Sequence, residues 1–116
     1  IPFVGNKISM KKALKILTEK KLGILIVRNA NNRTIGIITD GEIRRYNEKN
    51  SNLQLKKTSE VMTKNPITVE KDMLAVKALS IMNNRKITSL CVHNKKNKSQ
   101  TIGVVHVHNI LQSNIS

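Results

Sequence analysis

Hydrophobic residues in the first part of the chain follow the spacing of an amphipathic helix. Four apolar positions recur at i, i+3, i+4 and i+7: Met10, Ala13, Leu14 and Leu17. Ser9 precedes them, and a serine hydroxyl can accept a hydrogen bond from a free N–H group in the first turn of a helix. The pattern therefore predicts a helix that begins after Ser9 and ends at about Lys20.

The next segment changes from helical spacing to a continuous aliphatic run. Residues 24–27 are all β-branched or aliphatic, which predicts a strand that is covered on both faces. Residues 29–33 are rich in Asn and suit a turn. We therefore expect residues 34–38 to form a second, antiparallel strand and a further helix to open at Thr39.

This pattern occurs twice in the chain. Residues 13–27 align with residues 78–92 at an offset of 65, with six identities in fifteen positions, where chance gives about one. After a two-residue insertion, residues 35–38 match residues 102–105. The chain is thus a duplication, which we divide into residues 1–57, a first repeat with its linker, and residues 58–116, a second repeat.

The second repeat is expected to follow the same order of elements. Its pattern predicts a helix over 73–84, strands over 89–93 and 101–105, a long basic turn over 94–100 and a last helix from about His108. The apolar positions of the first of these helices are Val76, Ala78, Leu79 and Met82.

A short lead-in strand precedes the first helix of each repeat, with residues 67–69 mirroring the lead-in to repeat one. Each repeat therefore reads β-α-β-β-α, which predicts an α+β fold. One unit of about 50 residues buries too little apolar surface to be stable alone. We expect the two repeats to be related by pseudo-twofold symmetry with their sheets packed face to face.

The net charge of +14 raises the question of nucleic-acid binding. Nucleic-acid modules usually add stacking aromatic residues or a concentrated basic stripe. Here the sixteen Lys and five Arg are scattered over both repeats, and the aromatic residues are Phe3 and Tyr46. The composition favours a solvated lysine surface over a nucleic-acid interface.

Several other classes are disfavoured by composition. Cys91 is the only cysteine, so no internal disulfide can form, which suits the cytoplasm. The longest apolar run, 22–27, is too short to span a bilayer, and we expect no membrane partner. The start at Ile1, without a leader, suggests a piece of a longer protein. With seven acidic residues and no recognised catalytic motif, we predict no catalytic residues here.

A candidate anion site lies where the second strand of repeat one runs into a helix. Free N–H groups and the helix dipole favour a phosphate there, Thr39 and Asp40 lie at the turn, and Glu42 offers a carboxylate to ligand hydroxyls. The alternative is a capping box, in which Thr39 and Glu42 satisfy backbone donors without a ligand. The hydrophobic run 22–24, Leu22-Gly23-Ile24, is the candidate surface for a base.

The equivalent positions of repeat two have different chemistry. His106 replaces Thr39, and Asn109 replaces Glu42, so the second site carries less negative charge. Thr88 and Ser89 correspond to the base-contacting run of repeat one. A zinc site could be drawn from His106, His108, Cys91 and His93, but their spacing matches no recognised zinc pattern, and we predict no metal.

The duplicated unit, with its Gly-aliphatic-aliphatic-Thr-x-x-acid ending, resembles the CBS domain pair, or Bateman module. More narrowly, it is similar to the C-terminal CBS pair of the D-arabinose-5-phosphate isomerase family. The motifs that carry this likeness are Leu22-Gly23, Thr39-Asp40-Gly41-Glu42-Ile43-Arg44-Arg45, Val61-Met62-Thr63, Ile87-Thr88-Ser89 and Gly103-Val104-Val105-His106-Val107-His108. Two differences stand out: the family usually has Asp where Glu42 and Asn109 stand, and a common His is replaced by Lys86.

The resemblance implies a regulatory pair attached to a catalytic sugar isomerase (SIS) domain that lies outside this chain. That domain interconverts ribulose 5-phosphate and arabinose 5-phosphate for Kdo and lipopolysaccharide synthesis in a Gram-negative cytoplasm. It also implies CBS dimers within a tetrameric parent and a nucleotide-type effector such as CMP-Kdo or AMP, with no required cofactor. The alternatives are an assembly module that supports the tetramer without sensing and, third, a basic nucleic-acid-binding domain.

Overall fold

The protein is described here by a computed structural model that places residues 2–20 and 23–107. The chain forms two compact units that divide between Pro66 and Ile67. Both mix helices with a β-sheet, so the α+β fold predicted from the sequence is confirmed.

The first unit contains a four-stranded sheet with the order β1-β2-β3-β4. Its elements are β1 (Phe3–Gly5), α1 (Met10–Lys20), β2 (Ile24–Arg28), β3 (Thr34–Thr39), α2 (Asp40–Lys49), a 3-10 turn (Leu53–Leu55), α3 (Thr58–Val61) and β4 (Thr63–Lys64). β1 runs parallel to β2, and the other neighbouring strands are antiparallel.

The helix predicted after Ser9 is confirmed. The Ser9 hydroxyl accepts a hydrogen bond from the Lys12 N–H at 3.3 Å, as an N-cap does. The apolar stripe of α1 faces inward, with Met10, Ala13 and Leu17 buried in the core of this unit. The cap thus marks where α1 begins, and the apolar spacing marks the face that it buries.

The first strand pair is also confirmed. Residues 24–27 are all buried, as expected for a strand covered on both faces. β2 pairs antiparallel with β3 from Ile24 opposite Thr39 to Arg28 opposite Thr34.

The second unit contains a three-stranded sheet with the order β5-β6-β7. Its elements are β5 (Thr68–Glu70), α4 (Ala75–Arg85), β6 (Ser89–Asn94) and β7 (Asn97–His106). β5 runs parallel to β6, as β1 does to β2, and α4 packs Ala78 and Met82 into the core of this unit. The last helix, predicted from His108, lies outside the described residues.

The strand register is the same in both units. Ile24 lies opposite Thr39 and Ser89 lies opposite His106, and each pair sits at the same end of its strand pair. The irregularity after Val27 recurs after Val92, at the equivalent position. The duplication therefore holds at the level of individual backbone pairs.

Three details of repeat two differ from prediction. The long turn predicted over 94–100 is wrong, because β7 begins at Asn97 and leaves a two-residue turn at Lys95 and Lys96. The helix predicted from about Met73 begins two residues later, at Ala75. Val76, predicted as an apolar position of the inward stripe, is instead 73 % exposed.

The segment after α2 contributes to the core and to the sheet of the first unit. Leu53 of the 3-10 turn is buried in the core of the first unit. β4 pairs with β3, with Thr63 opposite Ile37. Residues 58–66, the start of the second repeat by sequence, therefore pack with the first unit.

Candidate functional site

Three of the predicted site residues of repeat one meet at one end of its strand pair. Ile24, the first residue of β2, lies opposite Thr39, the last residue of β3. Gly23 comes immediately before Ile24 and has a φ of +69°, a left-handed conformation that glycine adopts without steric cost. Asp40 is the first residue of α2 and is exposed, whereas Leu22 lies outside the described residues.

Thr39 is the N-cap of α2. Its backbone is extended, and its hydroxyl oxygen accepts a hydrogen bond from the Gly41 N–H at 3.2 Å. The same hydroxyl donates to the carboxylate of Glu42, with Oγ1 at 3.0 Å from Oε1 and 3.1 Å from Oε2. One hydroxyl thus caps the helix and holds a carboxylate.

Glu42 is buried, with 7 % of its surface exposed, and its charge is paired. The Arg45 guanidinium donates from Nη2 to Oε2 of this carboxylate at 2.5 Å. A Cβ at position 41 would come within 3.3 Å of Arg45 Nη1, so Gly41 leaves room for this arginine to fold back along α2. Arg45 was not predicted as a site residue: its position one helical turn after Glu42 makes this contact possible, but spacing alone does not fix the side-chain direction.

The predicted site residues of repeat two also meet at the end of a strand pair. Ser89, which is buried, lies opposite His106 in the β6–β7 register. The Val107 N–H donates to the Thr88 carbonyl at 2.8 Å and extends this pairing by one step. Asn109 lies outside the described residues.

An open groove in the second unit was not predicted from the sequence. It has a volume of about 680 Å³, within the range of small-molecule sites. Its lining comes from α4, the segment after it and the end of β7: Val76, Leu79, Ser80, Met82, Asn83, Lys86, Ile87, Thr88 and Val107. Five of the nine lining residues are apolar, and Lys86 is the one cation among them.

Lys86 ends α4 in a left-handed conformation, with a φ of 55° and a ψ of 42°. This conformation is unfavourable for a residue with a Cβ, and helices usually place glycine there. Two backbone bonds fix it: the Lys86 N–H donates to the Asn83 carbonyl at 3.3 Å and the Ile87 N–H to the Met82 carbonyl at 2.9 Å. Lys86 was noted from the sequence only as a departure from the family pattern.

The ionisable groups of the described residues form no cluster of three His, Cys, Asp or Glu side chains that could hold a metal. Cys91 is buried in β6, and burial raises the pKa of its thiol, an effect that a hydrogen bond with the Thr101 side chain partly offsets. A thiol with a raised pKa is a poor nucleophile at neutral pH. Among the helices that are described, none is long and apolar enough to cross a bilayer.

Comparison with known proteins links the chain to one family. The family model described as "CBS domain" matches residues 1–49 and again residues 59–115. Arabinose 5-phosphate isomerase KdsD of Yersinia pestis is 37 % identical over 115 residues, which is 99 % of this chain and 34 % of the relative. The chain thus spans about a third of the length of that curated relative.

Solved structures show the same fold. A CBS-domain containing protein, ATU1752 from Agrobacterium tumefaciens, matches with a TM-score of 0.87 over 98 % of this chain and 84 % of that one, at 18 % identity. A CBS domain protein from Pyrobaculum aerophilum, PAE2072, was solved as a complex with AMP. It matches with a TM-score of 0.82 over 97 % of this chain and 88 % of that one, at 17 % identity.

Proposed function

The chain belongs to the CBS domain family, as a tandem pair, and on this premise we propose that it is the nucleotide-sensing regulatory part of an arabinose-5-phosphate isomerase. The catalytic SIS domain would lie in the remainder of a longer protein, which would be tetrameric and act in the cytoplasm in Kdo and lipopolysaccharide synthesis. The chain itself would bind an effector such as AMP or CMP-Kdo and carry no catalytic residue.

One observation carries the isomerase part of the proposal. The isomerase of Yersinia pestis aligns with 99 % of this chain at 37 % identity. Similarity at this level along the whole chain supports a shared role for the two pairs, beyond a shared fold.

The geometry at the strand ends supports the sensing part. In the first unit, the N-terminus of α2 opens beside Gly23 and Ile24, so an apolar strand end adjoins a helix end that favours anions. A nucleotide could therefore place its base beside the apolar residues and its anionic phosphate at the helix end. The net charge of +14 raises the local concentration of any anionic effector.

Calorimetry on the 116-residue chain tests the sensing part. AMP, CMP, ATP and CMP-Kdo are titrated separately, and we expect at least one to bind. Thr39→Val should weaken that binding by at least about tenfold, because the hydroxyl at the helix start is lost. Thr18→Val, which alters an exposed threonine of α1, is the matched control and should leave the affinity unchanged.

Absence of binding by all four nucleotides, or binding that Thr39→Val leaves untouched, contradicts sensing at this site. The isomerase part has a separate test in the full-length natural protein. It should convert ribulose 5-phosphate to arabinose 5-phosphate, and the bound nucleotide should change that rate.

A further inference from the structure

The two units differ at one edge of their sheets. In the first unit, β4 covers the edge of β3, with Gly36 opposite Lys64 and Ile37 opposite Thr63. In the second unit, β7 is the last strand of its sheet, and among residues 67–107 no strand lies on its outer side. An uncovered strand edge presents a row of N–H and C=O groups that can pair with another strand.

The segment that carries β4 also covers part of the core of the first unit. Val61 of α3 is buried in that core, and Met62 packs against it. The Thr58 hydroxyl donates to the Gly5 carbonyl at 2.6 Å. Residues 58–64 are therefore part of the first unit, although they directly precede β5 of the second.

By sequence, the same segment belongs to the second repeat. The family model matches residues 59–115 in repeat two and residues 1–49 in repeat one. At the offset of 65, Ile1 corresponds to Pro66, so residues 59–65 have no counterpart within the chain. In a longer protein, their counterpart would lie directly before Ile1.

Such a counterpart would pair with the sheet of the second unit. β4 directly precedes β5, the lead-in strand of the second unit, but pairs with β3 of the first. Related units often exchange equivalent elements reciprocally, so a strand before β1 of the first unit would pair with β7 of the second. By the common register of the hairpins, the β7 positions that match Gly36 and Ile37 are Gly103 and Val104.

The exposure of β7 agrees with an absent neighbour. Ile35 packs against the core of the first unit, whereas its counterpart Ile102 is 45 % exposed. Gly36 is buried, and Gly103 is half-buried. Glycine inside a strand often marks the close approach of another backbone, and at Gly36 that backbone is Thr63 of β4. β7 thus keeps the glycine, but among the described residues it lacks the strand that requires glycine in the first unit.

We propose that the outer edge of β7, at Ile102, Gly103 and Val104, binds the segment that directly precedes Ile1 in the longer protein. That segment pairs antiparallel with β7 through about two residues, as β4 pairs with β3. The connection to the rest of the protein is therefore anchored on the sheet of the second unit before it enters β1. This inference uses only the part of the proposed function that places this chain within a longer protein.

Hydrogen exchange of two backbone amides measures this contact. In the first unit, the Asn65 N–H donates to the Ile35 carbonyl at 3.3 Å, so the backbone groups of Ile35 face β4. Those of Ile37 face it too, because backbone direction alternates along a strand. The counterparts on β7 are Ile102 and Val104. Their amides should exchange quickly in the 116-residue chain and slowly once a strand covers them.

A chain extended with part of its own sequence supplies such a strand. A copy of residues 57–65 is fused directly before Ile1, where the offset of 65 places it. We expect the amides of Ile102 and Val104 to exchange at least about tenfold more slowly in the extended chain than in the 116-residue chain. Both amides should also exchange slowly in the full-length natural protein.

Two variants of the extended chain are matched controls. In one, Thr63→Pro and Lys64→Pro are made only in the added copy, which removes two backbone donors and should restore fast exchange. In the other, Gly103→Ala places a Cβ where the added strand approaches, as a Cβ at Gly36 would meet β4. Gly103→Ala should lower the thermal midpoint of the extended chain more than that of the 116-residue chain.

Four results would overturn the proposal. The first is fast exchange of both amides in the extended chain or in the natural protein, and the second is slow exchange that the two prolines leave unchanged. The third is slow exchange in the 116-residue chain that depends on protein concentration, which would assign the edge to a second copy. The fourth is slow exchange there at every concentration, which would assign it to residues 108–116. These outcomes are separate from nucleotide binding and isomerase activity, which calorimetry and the isomerase assay measure.

Discussion

The Thr39 hydroxyl takes part in two interactions, and both bear on ligand binding. It accepts from the Gly41 N–H to cap α2, and it donates to the buried carboxylate of Glu42, whose charge Arg45 pairs. A buried carboxylate is tolerated only when such partners compensate for lost hydration. A ligand that binds at Thr39 must therefore leave the Glu42–Arg45 ion pair in place. Otherwise an anionic group of the ligand must take the place of the Glu42 carboxylate beside Arg45.

The pH dependence of stability should reveal the state of Cys91. Burial raises the pKa of its thiol in the folded chain above the value in the unfolded chain. A group with a raised folded pKa contributes stability that is complete below its unfolded pKa and is lost as pH rises through the folded pKa. We expect the free energy of unfolding, measured with urea, to fall above about pH 8.5, by at most about 1.4 kcal/mol per pH unit from this thiol.

Cys91→Ala supplies the control for this effect. The substitution removes the titrating group. The free energy of unfolding of Cys91→Ala should therefore decline less between about pH 8 and pH 9.5 than that of the unaltered chain. Alkylation with iodoacetamide at pH 8 should also be slow in the folded chain and fast in urea, because the side chain is 1 % exposed. Equal pH profiles for the two proteins would contradict a raised pKa for this thiol.

At the scale of elements, the pairing of β4 with β3 depends on a glycine. A Cβ at Gly36 would lie 2.9 Å from the Thr63 carbonyl oxygen and would overlap the side chain of Met62. Backbone atoms of a paired strand cannot move aside without breaking the pair. We expect Gly36→Ala to lower the free energy of unfolding by about 1–3 kcal/mol, measured with urea.

Gly5→Ala is the matched control, because Gly5 lies in a strand of the same sheet. A Cβ there meets Ile8 Cγ1 at 3.6 Å, an ordinary contact. Its effect on the unfolding free energy should stay within about 0.5 kcal/mol. Similar losses for the two alanine variants would mean that β4 does not require close approach at Gly36.

Periodic elements could be predicted from this sequence, and elements that depend on tertiary pairing could not. α1 has an N-cap residue, an apolar stripe and a strand after it, and these three features indicate its start, its buried face and its end. β4 has two residues and no pattern of its own, since it exists only because β3 offers an edge. The start of β7 was missed for a related reason: residues 94–98 are exposed and polar, yet Asn94 pairs with Asn97.

The candidate site shows the same division. The approach of Ile24 to Thr39, and of Ser89 to His106, followed from the predicted hairpins once the strand ends were placed. The return of Arg45 to Glu42 depends on side-chain direction along α2, which spacing alone does not fix. The exposure of Val76 was missed because an apolar residue at helical spacing is usually a core residue.

At the scale of the whole chain, duplication fixed the backbone while surface residues diverged. The strand register is common to both units, whereas α1 has Lys11 and Lys15 where α4 has Val76 and Ser80. Backbone pairing tolerates few changes because each bond constrains its neighbours. Surface positions accept most substitutions, so they can acquire separate roles in the two copies.

The net charge of +14 leads to a prediction about salt. Repulsion among like charges opposes the compact state, and salt screens it. Raising the NaCl concentration from about 0.01 M to about 0.15 M shortens the Debye length from about 30 Å to about 8 Å. The thermal midpoint, measured by circular dichroism, should therefore rise over this range, and a flat or falling midpoint would contradict self-repulsion as a destabilising term.

Part of this repulsion arises among lysines of the β6–β7 hairpin. Lys96 and Lys98 are exposed beside Lys95, whose Nζ lies 3.6 Å from a carboxylate oxygen of Glu70. Replacing both Lys96 and Lys98 with Gln should raise the low-salt unfolding free energy by up to about 0.5 kcal/mol and reduce the dependence on salt. Lys95→Gln is the control. It removes a repulsive charge and also the ion pair with Glu70, so it should raise the low-salt unfolding free energy less per charge removed.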